Sequence, residues 1–291
     1  DRDAYSLRYK EQLRELLTAY GEIVVVWLDN YLDPFRGGVI DPKTGKAADS
    51  KFDQEVHALI RSLHPGAVIM HSDCSSVGTD VLHSGSERGV ASYPLWNAVR
   101  PGQVRKGMLP WRLVEANIYT RPKWIWTPNS DDKILSVERL MQAYYESIGR
   151  GSNLLVNLTP DPRGIIPDAE VKRMEDFGAE IKRRLGKPIA TTTSRLGWSS
   201  PGVLELDLVQ AASIRHIVLE EEIAHGQHVL VYEIDAFDGS NWKTVAKGES
   251  IGRKRIERLA SPAIARRIRL RVLKANAVPM IRDFSVYAPA K

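Results

Sequence analysis

The sequence predicts a chain in two parts, a parallel α/β segment followed by an all-β segment. Three observations carry this. Helix-like and strand-like stretches alternate from residue 1 to about 185. The run EIVVVWLD, Glu22 to Asp29, is continuously apolar before its last residue, as a strand buried on both faces of a parallel sheet would be. Beyond about residue 190 no good helical pattern remains, and short strand-like runs follow one another between Gly, Asn, Pro and Ser.

The elements can be taken in order. Tyr5 to Tyr20 repeats Leu at helical spacing (Leu13, Leu16, Leu17), and Gly21 supplies a C-cap. The strand Glu22–Asp29 comes next. Phe52–Leu63 is helical, Ala67–His71 is a short apolar strand, and Val137–Ile148 is a helix closed by Gly149-Arg150-Gly151. Asn153–Leu158 is a strand and Asp168–Leu185 a charged amphipathic helix. Such alternation builds βα units. After the linker Gly186-Lys187-Pro188 come VLELDL, SIRHIVLEEEI, HVLVYEIDAFDG, NWKTVAKGES, RRIRLRVL and RDFSVYA, with Asp238-Gly239 as a hairpin turn signal. These imply an antiparallel β-sandwich or jelly roll. The expected division is residues 1–186 and 187–291. The first part holds four or five strands, too few for the eight of a (β/α)₈ barrel.

Composition narrows the function. The chain has 291 residues and a net charge of +5. No apolar run approaches the roughly 18–20 residues that span a membrane. The charged opening Asp1-Arg2-Asp3 is not that of a signal peptide. Cys74 is the single cysteine, so no intrachain disulfide forms and no cysteine-based metal cluster is expected. The basic groups Arg253-Lys254-Arg255 and Arg266-Arg267 read as solvated strand edges, without the aromatic interleaving of a nucleic-acid site.

Three carboxylates stand out. Asp29 ends a buried strand, and the C-terminal ends of parallel barrel strands form the catalytic face; a turn former or helix N-cap would look the same. Trp27 shares its side of the strand by the period of two, and an indole beside a carboxylate suits sugar binding or a core. Glu87 lies in the Gly-flanked loop SGSERG, residues 84–89, where a solvated loop residue is the plain alternative. Glu115 precedes an aromatic-rich stretch with Arg121, Trp124 and Trp126. Two carboxylates on one cleft are what glycoside hydrolysis requires, and residue type and spacing alone do not choose among the three.

The segment YKEQLRELLTAYGEIVVVWLDN, the run LIRSLHPGAVI, and the block from RPKWIWTPNS through NLLVNLTPDPRGIIPDAEVKRMEDFG resemble glycoside hydrolase family 29, the α-L-fucosidases, over residues 5 to about 185. The resemblance implies the C-terminal half of a (β/α)₈-type barrel followed by a galactose-binding-like sandwich. It implies a retaining hydrolase of terminal α-linked L-fucose, with no cofactor and no metal; the alternative is a non-catalytic carbohydrate-binding or scaffold protein derived from this fold. It places Asp29 as nucleophile and Glu87 as acid/base, with Glu115 as its rival. Arg121 and Trp124 match the stretch that lines the family's fucose pocket, and Trp27, Glu115 and Trp126 join them as substrate-binding candidates. The SGSERG loop is similar to that of the subfamily acting on branched 1,3- and 1,4-linked fucose. Asn30 stands where the family usually has Gly, and Ser86 where that subfamily has Asn. Nothing matches the family's His-rich region ahead of the nucleophile, so a further segment or second chain is expected to supply the first barrel strands. The expected partner is a fucosylated glycan, not nucleic acid or membrane, and the expected setting is secreted or periplasmic.

Overall fold

The structure, a computed structural model, describes residues 2–29, 51–71, 79–84, 86–96, 111–193 and 202–290. Cys74 and Asn30 lie outside the described residues. The chain forms two compact units, residues 1–85 with 99–114, and residues 86–98 with 115–291.

The first unit holds α1 (Arg2–Ala19), β1 (Val25–Leu28), α2 (Lys51–Leu63), β2 (Val68–His71) and β3 (Val81–His83). Its strands pair in parallel, β1 with β2 and β2 with β3. α2 is helical because its apolar residues recur on one face: Phe52, Val56, Leu59 and Ile60 are buried. Asp53 in its first turn and Arg61 in its last oppose the helix dipole. Leu13 and Leu17 of α1 and Leu28 and Ile69 of the strands complete this core, while Leu16 is exposed.

The second unit contains β4 (Leu113–Tyr119, from Glu115 onward), α3 (Val137–Glu146), β5 (Asn153–Asn157) and α4 (Asp168–Leu185). β4 and β5 pair in parallel, with Glu115 opposite Asn153 and Tyr119 opposite Asn157. α3 starts where the Ser136 side chain accepts from the Arg139 amide. The same unit holds β6 (Ala190–Thr192), β7 (Val203–Glu221), β8 (Val229–Phe237), β9 (Trp242–Gly248), β10 (Arg255–Ala275) and β11 (Ile281–Tyr287). These strands form an antiparallel sheet in the order β6-β11-β7-β10-β8-β9. At the Asp238-Gly239 turn, Asp238 Oδ1 accepts from the amides of Ser240 and Asn241.

Two differences from the sequence reading have physical reasons. VLELDL and SIRHIVLEEEI are one long strand, β7, and Ser261-Pro262 interrupts nothing, since β10 runs straight through it. The irregularity is absorbed as a register shift between Arg258 and Ala263, a bulge, where a proline without an N–H is tolerated. The helices of the second unit also share a core with the antiparallel sheet. Met141 and Tyr145 of α3 and Phe177 of α4 share one core with Val218, Ile256 and Tyr287 of the antiparallel sheet. Helices that bury one face on β4 and β5 and another on the sheet merge the two into a single unit.

The seam of that unit is polar at one point. His216 of β7 is buried, its ring stacks on Tyr145 at 5.6 Å, and its Nε2 lies 2.9 Å from the Tyr145 hydroxyl. Burial, helped by the nearby charges of Arg184, Arg215 and Arg258, pushes the His216 pKa down to about 4. A depressed histidine contributes stability that is present above its unfolded value of about 6.5 and lost as pH falls through its folded value. His216→Gln cannot titrate. Its unfolding free energy, measured by urea denaturation, should therefore fall less than that of the wild type between pH 6.5 and 4, by up to about 3 kcal/mol. Identical pH slopes in the two proteins would refute this account of the seam.

Candidate active site

In the first unit, Val26 and Leu28 of β1 pack toward α1 and α2. Alternation along the strand therefore turns Val25, Trp27 and Asp29 to the opposite face, the one that lines the interior in a βα barrel. Asp29 follows the last residue of β1 and is exposed. Register sets Leu28 beside His71 and His71 beside Leu82, so the C-terminal ends of β1, β2 and β3 lie side by side. At this edge the Trp27 indole meets the His83 ring edge-on at 6.3 Å.

In the second unit, Ile118, Leu154 and Val156 pack toward α3. The opposite face of the ladder then carries Glu115, Asn117, Tyr119, Asn153, Leu155 and Asn157, a mostly polar stripe. Glu115 is buried and accepts a hydrogen bond of 2.8 Å from Asn153 Nδ2. It is the third residue of β4, four before the strand's C-terminal residue, which is about 13 Å at the rise of a strand. At the C-terminal end, Tyr119 meets Trp124 edge-on at 5.0 Å, and Asn157 Nδ2 donates to the Trp124 carbonyl at 3.0 Å. Trp124 is 38% exposed at this mouth, and Trp126 is half-buried.

Glu87 is exposed in a strip running antiparallel to β4. Ser86 O accepts from the Asn117 amide, and the Gly89 amide donates to Asn117 O, at 3.1 and 2.7 Å. Ser86 Oγ accepts from the amides of Arg88 and Val90 at 3.2 and 3.3 Å. Capping its own turn is a role that a short oxygen-bearing side chain, Ser or Asn, can fill. Gly89 has φ +69°, and a Cβ there would come within 2.7 Å of the Ala143 Cβ, which makes glycine a steric requirement.

Arg121 is not at the mouth with Trp124. Its side chain is fully buried, with Nε 2.9 Å from Glu170 Oε2 and Nη1 2.8 Å from both Ser130 Oγ and Asp131 Oδ1. Burial disfavours its charge, but Glu170 and Asp131 outweigh burial and hold its pKa above the usual value. Glu170 also accepts from the hydroxyls of Thr120 and Thr159. The described contacts of Arg121 thus pin the end of β4 to the start of α4, and so hold the loop that presents Trp124. Asn117, Asn157 and Tyr119 were missed as candidates; the signal for them was the period-two polar alternation in LVEANIY and NLLVN. Among the described residues there is no group of three or more His, Cys, Asp or Glu side chains that could hold a metal ion.

A sequence profile of the family described as Alpha-L-fucosidase matches residues 1–184. The chain belongs to the α-L-fucosidase family. It is 28% identical over 332 residues to the putative α-L-fucosidase 1 of Oryza sativa subsp. japonica, covering 99% of this chain and 60% of that protein. It is 26% identical to α-L-fucosidase 1 of Arabidopsis thaliana, covering 97% and 62%. Among solved structures, a putative α-L-fucosidase from Bacteroides thetaiotaomicron VPI-5482 superposes with a TM-score of 0.80 at 29% identity, over 99% of this chain and 65% of that one. A Ruminococcus gnavus GH29 fucosidase in complex with fucose shares the fold, with a TM-score of 0.79 at 21% identity over 99% and 66%. This fucosidase-family chain therefore spans about 60% of the length of the curated relatives it matches.

Removing one member of a buried ion pair strands the other charge away from water, at a cost of about 3–5 kcal/mol. Glu170→Ala should lower the unfolding free energy by that amount in urea titrations. Asp176→Ala, which cuts the exposed Lys172–Asp176 pair one turn further along α4, should leave the midpoint nearly unchanged. Equal effects would show that the Arg121–Glu170 pair is not the fastening described.

Proposed function

We propose that this chain carries the catalytic carboxylates of a retaining α-L-fucosidase acting on terminal α-linked L-fucose of oligosaccharides or glycans. The observation that carries the reading is the place of Asp29. It directly follows a parallel strand, on the strand face turned away from the helices and shared with Trp27, in a chain of the α-L-fucosidase family. In the first step an Asp29 oxygen bonds the anomeric carbon while the glycosidic C–O bond breaks, and Glu87 gives its proton to the departing oxygen. In the second, water loses a proton to Glu87 and attacks the same carbon, breaking the ester to Asp29. Trp27, on the strand face shared with Asp29, has an aromatic ring of the kind that packs on the C–H face of a sugar.

Glu87 is preferred to Glu115 because Glu115 is buried toward the N-terminal end of β4 and engaged by Asn153, the end of a barrel strand that serves stability. The preference for branched 1,3- and 1,4-linked fucose rests on the SGSERG loop. The barrel-half and jelly-roll architecture, divided near residue 186, belongs to the same reading. So does a further segment or chain supplying the rest of an eight-stranded barrel, since the described parallel strands number three and two.

Two experiments on the full-length enzyme test this. Asp29→Ala should leave folding intact and lower turnover of an aryl α-L-fucoside by several orders of magnitude, with azide restoring part of the rate; near-normal kcat would end the nucleophile assignment. Glu87→Gln should depress hydrolysis of a fucosyl disaccharide far more than that of an activated aryl fucoside, whose leaving group needs no proton. Glu115→Gln should weaken both alike. The reverse pattern would exchange the two roles.

A further inference from the structure

The strip that carries Glu87 has an unusual set of anchors. From Ser86 to Trp96 it forms no helix and no ladder beyond one bridge, Arg88 with Ile118. Holding such backbone in one conformation opposes about 1–2 kcal/mol of conformational entropy per residue, so something must fix it. β4 supplies the two bonds to Asn117. α3 and the turn after it supply three more: Arg139 Nη2 donates to Arg88 O, the Ala91 amide donates to Glu146 O, and Arg150 Nη1 donates to Ala91 O, at 2.5, 2.9 and 2.7 Å.

Further anchors come from the turns of the antiparallel sheet. The Leu95 amide donates to Ser250 Oγ at 3.2 Å, and Gln227 Nε2 donates to Leu95 O at 2.9 Å. The Tyr93 hydroxyl accepts from the Glu249 amide at 2.8 Å, and the Arg255 guanidinium lies 4.1 Å over the Tyr93 ring. Leu95, Gln227 and Ser250 are all buried, so these bonds are shielded from competing water. The two turns that provide them are themselves tied together by one buried carboxylate. Glu221 accepts from the amides of His228, Val229 and Gly252 at 2.8, 3.0 and 2.8 Å.

We infer that the antiparallel sheet is a positioning element for the general acid: Gln227 and Ser250, by gripping Leu95, hold the 86–96 strip against β4 so that the Glu87 carboxyl stays aligned with the leaving oxygen. This deepens the reading of Glu87 above and rests on it. Neither residue touches substrate; each acts through the strip. A displacement of about 1 Å in a catalytic group costs on the order of a hundredfold in rate, so a modest loosening is measurable.

The test uses Gln227→Ala, Ser250→Ala and Tyr93→Phe in the full-length enzyme, assayed at a temperature where circular dichroism shows each folded. Lys243→Ala, an exposed change at the end of β9 away from Glu249 and Ser250, is the control. The expected result is a loss of about tenfold or more in kcat on a fucosyl disaccharide, with less than a twofold change on an activated aryl fucoside and little change in KM. Ser250→Thr, which keeps the hydroxyl, should restore the disaccharide rate. A general loss of packing would lower both substrates together and would not be rescued selectively. If Glu87→Gln shows the leaving-group split and the sheet variants do not, the inference fails while the Glu87 assignment stands. If Glu87→Gln itself shows no split, both fall. Should Gln227→Ala not fold, Tyr93→Phe and Ser250→Ala decide the matter, since each removes a single heavy atom from the grip.

Discussion

The second unit depends on charge buried where water cannot reach it. Arg121 and Glu170 face each other with fully buried side chains, a placement that costs several kcal/mol per ion before any attraction is counted. It is sustained because the pair is not alone: Thr120, Thr159, Ser130 and Asp131 take up further donors and acceptors. The two members come from the end of a strand and the first turn of a helix, and a carboxylate in a helix's first turn also meets the favourable end of its dipole. The pair therefore fixes a register between β4 and α4 that apolar contacts would leave free to slide. The loop between Arg121 and Ser130, with its exposed Trp124, departs from and returns to this fixed point.

Much of the fold was legible because it is written in local period. α2, α3 and α4 announce themselves by apolar residues three and four apart, and β1 by an unbroken apolar run. The joining of two expected strands into β7 was not legible. Val209 and its neighbours are exposed and lack a clear pattern, and β7 pairs with β10 on either side of them, Asp207 with Arg267 and Ala212 with Ala265, across a register shift and from residues some fifty to sixty positions away. Long-range hydrogen bonding overrides local preference in sheets more readily than in helices.

The site was legible in a different measure. Strand ends are local features, so Asp29 could be singled out with its face. The position of Arg121 depends on Glu170, which is 49 residues further along the chain, and no local pattern distinguishes an arginine that reaches a pocket from one that turns inward. The asparagines of β4 and β5 were hidden for a simpler reason. Their alternation becomes a polar face only when LVEANIY and NLLVN are neighbouring strands, and the sequence reading has a strand at the second alone.

The close packing at Gly89 bears on how this loop can change over generations. The space a methyl group would need there is occupied by the Ala143 side chain, with Leu154 and Ile118 close behind. Positions 89 and 143 therefore share one volume: glycine at 89 has nothing left to give up, and a larger residue there needs a smaller one at 143. A lineage that altered the loop's reach, or an engineer seeking to, would have to move through paired exchanges across the loop and α3. Single steps are closed off by sterics, and the shape of the loop is inherited together with that of α3.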